Sequence, residues 1–254
     1  MNVTDVLVLA GELLLGNGAE VFRVQDTINR IANAYNVADF EIYVLSNGMF
    51  MSICEDGQHY KASVKNVPIT AAHLGRVAQI CNLSRSIVAG ECTTREAYCE
   101  LLRIRDMPGK SNVARILYVA IGSGSFCYLI GGTINDIMTT VVSVSILHRY
   151  LIYMENHQAS KMMLNMIGAS IATFFGLLLV NLGLGDDIDN IISASIISLV
   201  PGIALTNSIR DLFNGDYLSG TIRLIDALLV AFSIAAGVGG MIAMWQNLFG
   251  GFFI

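Results

Sequence analysis

Several side chains that could carry chemistry lie within or beside long apolar segments of this sequence. Asp136 stands at the start of one such segment, and Arg223 and Asp226 lie one helical turn apart in another. Ionisable groups are costly inside a membrane, and those that are retained there usually mark an ion or substrate pathway. The spacing of Arg223 and Asp226 also allows them to pair along one helix face. The alternative to a pathway role is therefore an ion pair that reaches the cytosolic interface.

Uncharged polar side chains add hydrogen-bonding groups at several depths of the same segments. They are Asn165, Asn181, Ser193, Ser195, Ser198, Thr206 and Asn207. A serine in a membrane helix commonly bonds a carbonyl of its own preceding turn. For any single serine, that bond is favoured over contact with a ligand.

Pro201 and Gly202 differ from these residues because they alter the backbone itself. Proline lacks an amide N–H and glycine loosens a helix, so the apolar segment around them is expected to be interrupted. Broken helices expose backbone groups that hold carboxylates or cations in many transporters. A packing kink and a binding position for a carboxylate-bearing substrate are both open at this point.

The catalytic motifs of soluble enzymes are missing from the sequence, which has no GxSxG, HExxH or P-loop. The four histidines are scattered, and the five cysteines have neither CxxC nor Cys/His metal spacing. We therefore predict no catalytic residue, no metal and no cofactor. The net charge of −5 also argues against nucleic acid as a partner.

The composition is that of a membrane protein. Apolar residues make up 54% of the 254 residues and charged residues 14%, against about 25% charged residues in soluble domains. The mean hydropathy is +0.60. Most charges precede Arg115, so we predict a cytosolic α+β domain over residues 1–109 and a transmembrane helical domain over residues 110–254.

The pattern of the first domain predicts a helix, a three-stranded meander and further helices. Apolar residues recur at helical spacing from Val3, are interrupted at Asn17-Gly18 and resume to Ile31. From Asp39 the period becomes two. Turns are predicted at Asn47-Gly48 and Asp56-Gly57, a helix from Thr70 to about Ala89, and a last helix from Thr93 to Arg105.

Beyond residue 109 the sequence predicts about five apolar spans of the length that crosses a bilayer. They are placed at Ile116–Ile134, Ile137–Met154, Met162–Leu184, Ile188–Ile209 and Thr221–Trp245. The connections on one side carry the basic residues, and the connections GGTIND and NLGLGDDIDN carry none. By the positive-inside rule, the N-terminus is cytoplasmic and the C-terminus lies outside.

Small residues one helical turn apart favour close packing of the spans. Gly168, Ala172 and Gly176 form one row, and Ala194, Ser198 and Gly202 form another. Two such rows in neighbouring spans predict a packed, oligomeric bundle.

Three stretches together resemble the threonine/serine exporter family. They are GAEVFRVQDTINRIANAY from Gly18, the Gly131-Gly132 turn with Asp136, and PGIALTNSIRDLFNGDYLSGTIRLIDALL from Pro201. The resemblance is to the N-terminal half of the family, in which a cytosolic domain precedes a block of membrane helices. The residues that match by position are Glu20, Arg23, Pro201, Gly202, Asn207, Asp211, Gly215, Asp216, Gly220 and Arg223.

The resemblance implies export of small metabolites across a bacterial inner membrane. The type substrates are threonine and serine, and some split members are associated with succinate or other dicarboxylates. Single-chain members continue into a second membrane half, so this chain resembles the larger subunit of a split exporter. Such a subunit needs a small all-membrane partner and is expected to be coupled to the proton gradient.

A second hypothesis is a membrane-anchored module without transport activity of its own. In that interpretation the cytosolic domain senses a metabolite through the Glu20 and Arg23 motif, and the helices only anchor and oligomerise it. A membrane-embedded hydrolase is disfavoured because the sequence offers no nucleophile–base pair.

Overall fold

The computed structural model describes residues 2–55, 58–64, 67, 73–155, 157 and 159–249, and most of them are helical. The helices are α1 (Val3–Gly16), α2 (Val21–Ala34), α3 (Leu74–Val88), α4 (Thr94–Arg105), α5 (Asn112–Leu129), α6 (Ile134–Met154), α7 (Lys161–Asn181), α8 (Ile188–Ile196), α9 (Gly202–Phe213) and α10 (Tyr217–Phe249). A 3-10 helix, Ile197–Leu199, follows α8. The strands are β1 (Glu41–Leu45), β2 (Gly48–Glu55) and β3 (Gln58–Val64).

The chain divides into two compact units. The first contains Met1–Pro108 and Gly202–Ile225, and the second contains Gly109–Pro201 and Asp226–Ile254. The helix α9 and the start of α10 thus share a unit with the N-terminal residues, although they follow them far along the chain. The functional division into a cytosolic and a membrane domain stays a prediction.

In the first unit, α1 and α2 are separate helices. The Asn2 side chain caps α1 and forms a capping box with Asp5. α1 ends where the sequence predicts an interruption. There the Asn17 side-chain amide donates to the Leu13 carbonyl at 2.7 Å, and Gly18 adopts a φ of +80°. Such a φ is accessible to glycine without steric cost, so the chain can turn here.

The first unit also holds a small antiparallel sheet in the order β1-β2-β3. β1 pairs with β2 through Leu45 and Gly48, which leaves Ser46 and Asn47 as the turn. The predicted turn at Asn47-Gly48 is therefore wrong by one residue, since Gly48 already belongs to a strand. The predicted turn at Asp56-Gly57 lies outside the described residues.

Helices α3 and α4 complete the core of the first unit. The predicted start of α3 at Thr70 lies outside the described residues; the helix begins at Leu74, and the His73 imidazole accepts the Arg76 N–H at 3.1 Å. Both ends of α4 match the prediction. Its N-terminus is a capping box in which Thr93 and Glu96 satisfy each other's backbone N–H groups.

The second unit consists of helices that pack around α6, which contacts α5, α7 and α8. Its buried core combines apolar residues of α5, α6, α7 and α10: Ala120, Val144, Leu147, Ala169, Ala172, Val230 and Ile234, with Leu199 of the 3-10 helix. Glycine allows close approach at the α7–α10 contact, where a Cβ on Gly237 would collide with the Met166 carbonyl.

Within the described residues, α6, α7 and α10 are long and apolar enough to cross a membrane. A fourth candidate exists if α8 and α9, which are broken at Val200 and Pro201, are counted as one span. α5 is not among the candidates, because Arg115 and the run of glycine and serine at residues 122–125 lower its hydropathy. The first of the five predicted spans thus stays a prediction.

The close α7–α10 contact predicts that Gly237→Ala is destabilising. Overpacking a tight contact typically costs about 1–3 kcal/mol, and here the added methyl group meets backbone atoms that cannot rotate away. Gly239→Ala is the control, because its Cβ meets nothing within 4 Å and alanine favours a helix over glycine. Thermal unfolding in nanodiscs should show a lower midpoint for Gly237→Ala only; equal midpoints would contradict the packing.

Candidate functional site

Predicted site residues from distant parts of the chain meet at residues 17–20, which we call the α1–α2 turn. Side chains of α9 and α10 each donate a hydrogen bond to one of three successive residues of this turn: Asn207 to the Gly18 carbonyl at 3.3 Å, Arg223 to the Ala19 carbonyl at 3.2 Å, and Arg210 to the Glu20 carboxylate. Residues about 190 positions apart in sequence are joined in this way. The α1–α2 turn is therefore held in place by α9 and α10.

Arg223, one of these donors, also forms a buried ion pair with Asp211. The Arg223 Nη1 atom is 3.3 Å from the Asp211 Oδ2 atom, and the two side chains are 8% and 0% exposed. The Val21 N–H at the start of α2 is also close to the Asp211 carboxylate, but neither carboxylate oxygen accepts a well-aligned hydrogen bond from any residue that the structure describes. Removing one partner of a buried pair leaves the other charge uncompensated, which is strongly destabilising. The charge of Asp211 thus depends on Arg223.

Two glycines of the predicted motif shape the connection between α9 and α10. Gly215 adopts a φ of +89°, which the tight turn requires. A Cβ on Gly220 would lie 2.9 Å from the Leu212 backbone nitrogen, so the first turn of α10 packs directly on the end of α9. Asp216 lies in the turn, and its N–H donates to the Asp211 carbonyl at 2.9 Å. This short hairpin brings Asp211 to Arg223.

The pair between Arg223 and Asp226 that their spacing allows is not formed in the structure. Arg223 extends to Asp211 and Ala19, and Asp226 accepts a hydrogen bond from Lys161 at 2.9 Å. Spacing of one turn permits a pair on a helix surface, but such pairs contribute only tenths of a kcal/mol. A buried carboxylate depends more on a counter-charge than an exposed one does. Arg223 therefore pairs with Asp211 rather than with Asp226.

Asp136 is buried and serves as a cap. Its carboxylate accepts the backbone N–H groups of Thr133 at 2.9 Å, Asp186 at 2.7 Å and Asp187 at 3.0 Å. The Thr133 hydroxyl donates to it as well, at 3.0 Å. These bonds tie the start of α6 to the connection before α8. The predicted pathway role of Asp136 stays a prediction.

The predicted break at Pro201-Gly202 is present as an interruption of helix. The 3-10 helix ends at Leu199, the next residue, Val200, has extended backbone (φ −62°, ψ 127°), and α9 starts at Gly202. A Cβ on Gly202 would meet nothing within 4 Å. The interruption therefore comes from Pro201 rather than from close packing at the glycine, and its role in binding stays a prediction.

Arg23 lines a groove on the surface of the first unit, and Glu20 lines a smaller cleft beside it. The Arg23 guanidinium is 3.8 Å from Glu20, which also binds Arg210. The groove between α2 and α3 has a volume of about 730 Å³, and we call it the α2–α3 groove. The smaller cleft, of about 330 Å³ beside the α1–α2 turn, shares Arg23, Cys81 and Arg85 with it.

The α2–α3 groove is rich in arginine. Arg23, Arg30 and Arg85 line it together with one carboxylate, Asp26, which Arg30 binds at 3.0 Å. Arg85 makes no ion pair with any residue in the described part of the chain. Guanidinium groups bind carboxylates in a bidentate manner, so the groove suits a small anion. The described residues contain no group of three or more His, Cys, Asp or Glu placed to hold a metal ion.

Three arginines of these sites, Arg30, Arg85 and Arg210, were not among the predicted site residues. Arg30 lies in the stretch from Gly18 to Tyr35 that carries the family resemblance. Arg210 directly precedes Asp211 in the motif, so its position beside a predicted residue was a usable signal. Arg85 offered none, because nothing in the local pattern of α3 reveals that it faces α2.

The chain is similar to known proteins over nearly its whole length. The sequence model of a family described as "Putative threonine/serine exporter" matches residues 5–245. A "Probable succinate transporter subunit YjjP" of Klebsiella aerogenes is 24% identical over 96% of this chain and 94% of its own length. The protein of the same name from Escherichia coli is 23% identical, with the same coverage of both chains. No solved structure matches the chain.

A longer relative matches with about half of its length. A "Probable threonine/serine exporter" of Mycobacterium tuberculosis is 22% identical over 93% of this chain but only 45% of its own. The chain thus spans nearly the whole length of the two relatives of similar size and about half the length of the longer one.

The buried ion pair predicts that Asp211→Asn is far more damaging than Asp187→Asn. The first change leaves the Arg223 charge buried without a counter-charge, at a cost of about 3 kcal/mol or more. The second keeps the cap of α8, where Asp187 accepts the N–H groups of Asp189 and Asn190, because asparagine caps as well as aspartate. Thermal unfolding in detergent should separate the two variants; similar midpoints would show that the pair contributes little.

Proposed function

The chain belongs to the threonine/serine exporter family, and we propose that it is a subunit of a secondary exporter for small amino acids or dicarboxylates. The observation that carries the proposal is the match over nearly the whole chain both to proteins named as succinate transporter subunits and to part of a threonine/serine exporter. The apolar helices support a multi-pass membrane protein. All named relatives are transporters, which argues against an enzyme.

A small second membrane subunit belongs to this proposal. The relatives of similar length are named as subunits, whereas the relative named as an exporter is about twice as long. The additional half of the long relative would then correspond to a separate, hydrophobic partner chain. We place the complex in the bacterial inner membrane, with the N-terminus cytoplasmic and the C-terminus outside, because the basic connections fall on one side.

Asp211 is the carboxylate best suited to couple export to the proton gradient. Asp136 is equally buried, but a proton there would disrupt several hydrogen bonds from backbone groups. Protonation of Asp211 would remove chiefly its pairing with Arg223 and a weaker interaction with the Val21 N–H. Because Arg223 also holds the Ala19 carbonyl, the protonation state of Asp211 would be transmitted to the α1–α2 turn.

The proposal predicts that Pro201→Ala combined with Gly202→Ala leaves the protein inserted and folded but removes efflux. Alanine restores an N–H at position 201 and fits at position 202, where nothing lies within 4 Å, so the helix could continue through the break. Efflux of threonine, serine and succinate from loaded cells that also express the partner is the measurement. Gly239→Ala is the matched control.

The result for the double variant decides between a site and a kink. Efflux at the level of cells without the transporter would support the break as part of the pathway. Wild-type efflux would make it a packing kink. The proposed function itself would be overturned if deletion of both genes left the efflux of all three solutes unchanged.

The α2–α3 groove favours a second candidate function, in which the first unit senses a metabolite. Its three arginines, of which Arg85 has no carboxylate partner among the described residues, would bind a small dicarboxylate. In this alternative the membrane helices anchor and oligomerise the protein.

The second candidate predicts that Arg85→Ala weakens succinate binding to the full-length protein. Charge-assisted hydrogen bonds contribute about 1.5–3 kcal/mol, so the dissociation constant should rise roughly tenfold or more. Calorimetry on nanodisc-embedded protein measures it, with Arg103→Ala of α4 as the control because that arginine is exposed and, among the described residues, pairs with Glu100 alone. Binding lost with efflux intact would favour the sensing role; unchanged binding would remove the groove from consideration.

A further inference from the structure

Six hydroxyl groups of the second unit have a buried oxygen atom without a well-aligned hydrogen-bond partner among the described residues. One belongs to Tyr150, a partly exposed residue of α6. The other five belong to four helices, in residues at most 2% exposed: Ser123 of α5, Thr140 and Ser143 of α6, Thr173 of α7 and Ser195 of α8. The thiol of Cys127, a weak hydrogen-bonding group, lies beside the Thr140 hydroxyl. Buried polar groups in proteins are nearly always paired, and each exception needs an explanation. Their shared burial makes these five residues, which we call the interior hydroxyls, the unusual feature of this unit.

Other hydroxyls of the same helices behave in the ordinary way. The Ser145 hydroxyl donates to the Val141 carbonyl at 2.6 Å, and the Ser170 hydroxyl donates to the Met166 carbonyl at 3.0 Å. Such bonds to the preceding turn are the usual solution for serine in a membrane helix. Helical serines here can therefore bond the backbone, and the interior hydroxyls do not.

Contacts between the helices place the interior hydroxyls at similar heights. A Cβ on Gly124 would meet Val141 at 3.2 Å and Ile137 at 3.4 Å, so the neighbouring Ser123 lies level with about residue 140 of α6. A Cβ on Gly168 would meet Leu147 at 2.9 Å and Leu151 at 3.7 Å, so Gly168 lies level with about residue 149 of α6. Because α7 runs antiparallel to α6, Thr173 then lies level with about residue 144.

The fourth helix follows the same pattern. The His148 Nε2 atom is 3.0 Å from the Ser198 hydroxyl, and Asp136 binds the N–H of Asp186. α6 and α8 therefore run parallel, and Ser195 lies level with about residue 145. At a rise of 1.5 Å per residue, the interior hydroxyls span roughly 8 Å along the bundle. This is about the length of a small amino acid or a four-carbon dicarboxylate.

We propose that the interior hydroxyls line a binding position for a small carboxylate-bearing solute on the transport path through the helical unit. Hydroxyl groups can donate to a carboxylate and accept from an ammonium group, so this lining fits threonine, serine and succinate alike. The absence of charge among them keeps binding weak enough for release. The proposal rests on the proposed export function and names the membrane part of its site.

The interior position predicts an unusual combination of effects for Thr140→Val and Ser143→Ala. Replacing an unpaired buried hydroxyl by an apolar group is neutral or stabilising, so the midpoint of thermal unfolding should stay the same or rise. Efflux should nevertheless fall about tenfold. Ser145→Ala on the same helix is the control and should retain wild-type efflux. Wild-type efflux in both variants, or a marked loss of stability, would overturn the proposal.

A second measurement does not depend on efflux. In a variant whose native cysteines are replaced by alanine, Ser143→Cys should react with a small, charged thiol reagent in proteoliposomes, and succinate or threonine should slow the reaction. Ser170→Cys, whose native hydroxyl bonds the backbone, should show no such protection. A cysteine at position 143 that does not react, or that reacts without protection by solute, overturns the site.

The two measurements separate this proposal from the proposed function. If position 143 reacts and is protected while the wild-type protein exports none of the three solutes, the site stands and the export function fails. If the wild-type protein exports and position 143 is neither reactive nor needed, the function stands and the site fails.

Discussion

The buried pairing of Asp211 with Arg223 is the interaction on which the first unit depends. Both side chains are almost wholly buried, and the described residues supply the Asp211 carboxylate with no well-aligned hydrogen bond, so each group compensates mainly the other. The Arg223 guanidinium also donates a hydrogen bond to the buried Ala19 carbonyl in the turn between α1 and α2. One side chain thereby fixes a hairpin near the end of the sequence to a turn near its beginning.

The glycines of the motif follow from the same pairing. For Asp211 and Arg223 to face each other across a connection of a few residues, the chain must reverse within Gly215, and α10 must approach the backbone of α9 at Gly220. A side chain at position 220 would push Arg223 away from the carboxylate. The motif therefore has a structural explanation that holds whatever the solute is.

Local signals in the sequence were sufficient for the features that local interactions determine. The capping box of Thr93 and Glu96 places α4, and the missing N–H of Pro201 places the break before α9. The partner of Arg223 could not be found in this way. Helical spacing offers Asp226, three residues away, but the actual partner depends on which face of α10 is buried, and only the packed structure contains that information. The turn at Ser46 and Asn47 was misplaced because glycine, a strong turn signal, here begins a strand.

Hydroxyl groups show most clearly what spacing cannot reveal. Ser143 and Ser145 are two residues apart on one helix, and the sequence gives no reason to separate them. In the structure one hydroxyl bonds the backbone, whereas the other is buried without a partner beside Thr140. An apolar residue at position 143 would suit the packing of the helices better, because it would carry no unpaired group out of water. A helix bundle that keeps several such hydroxyls at similar heights has retained groups that its own stability does not require, and a polar solute that passes between the helices is the simplest physical reason for keeping them.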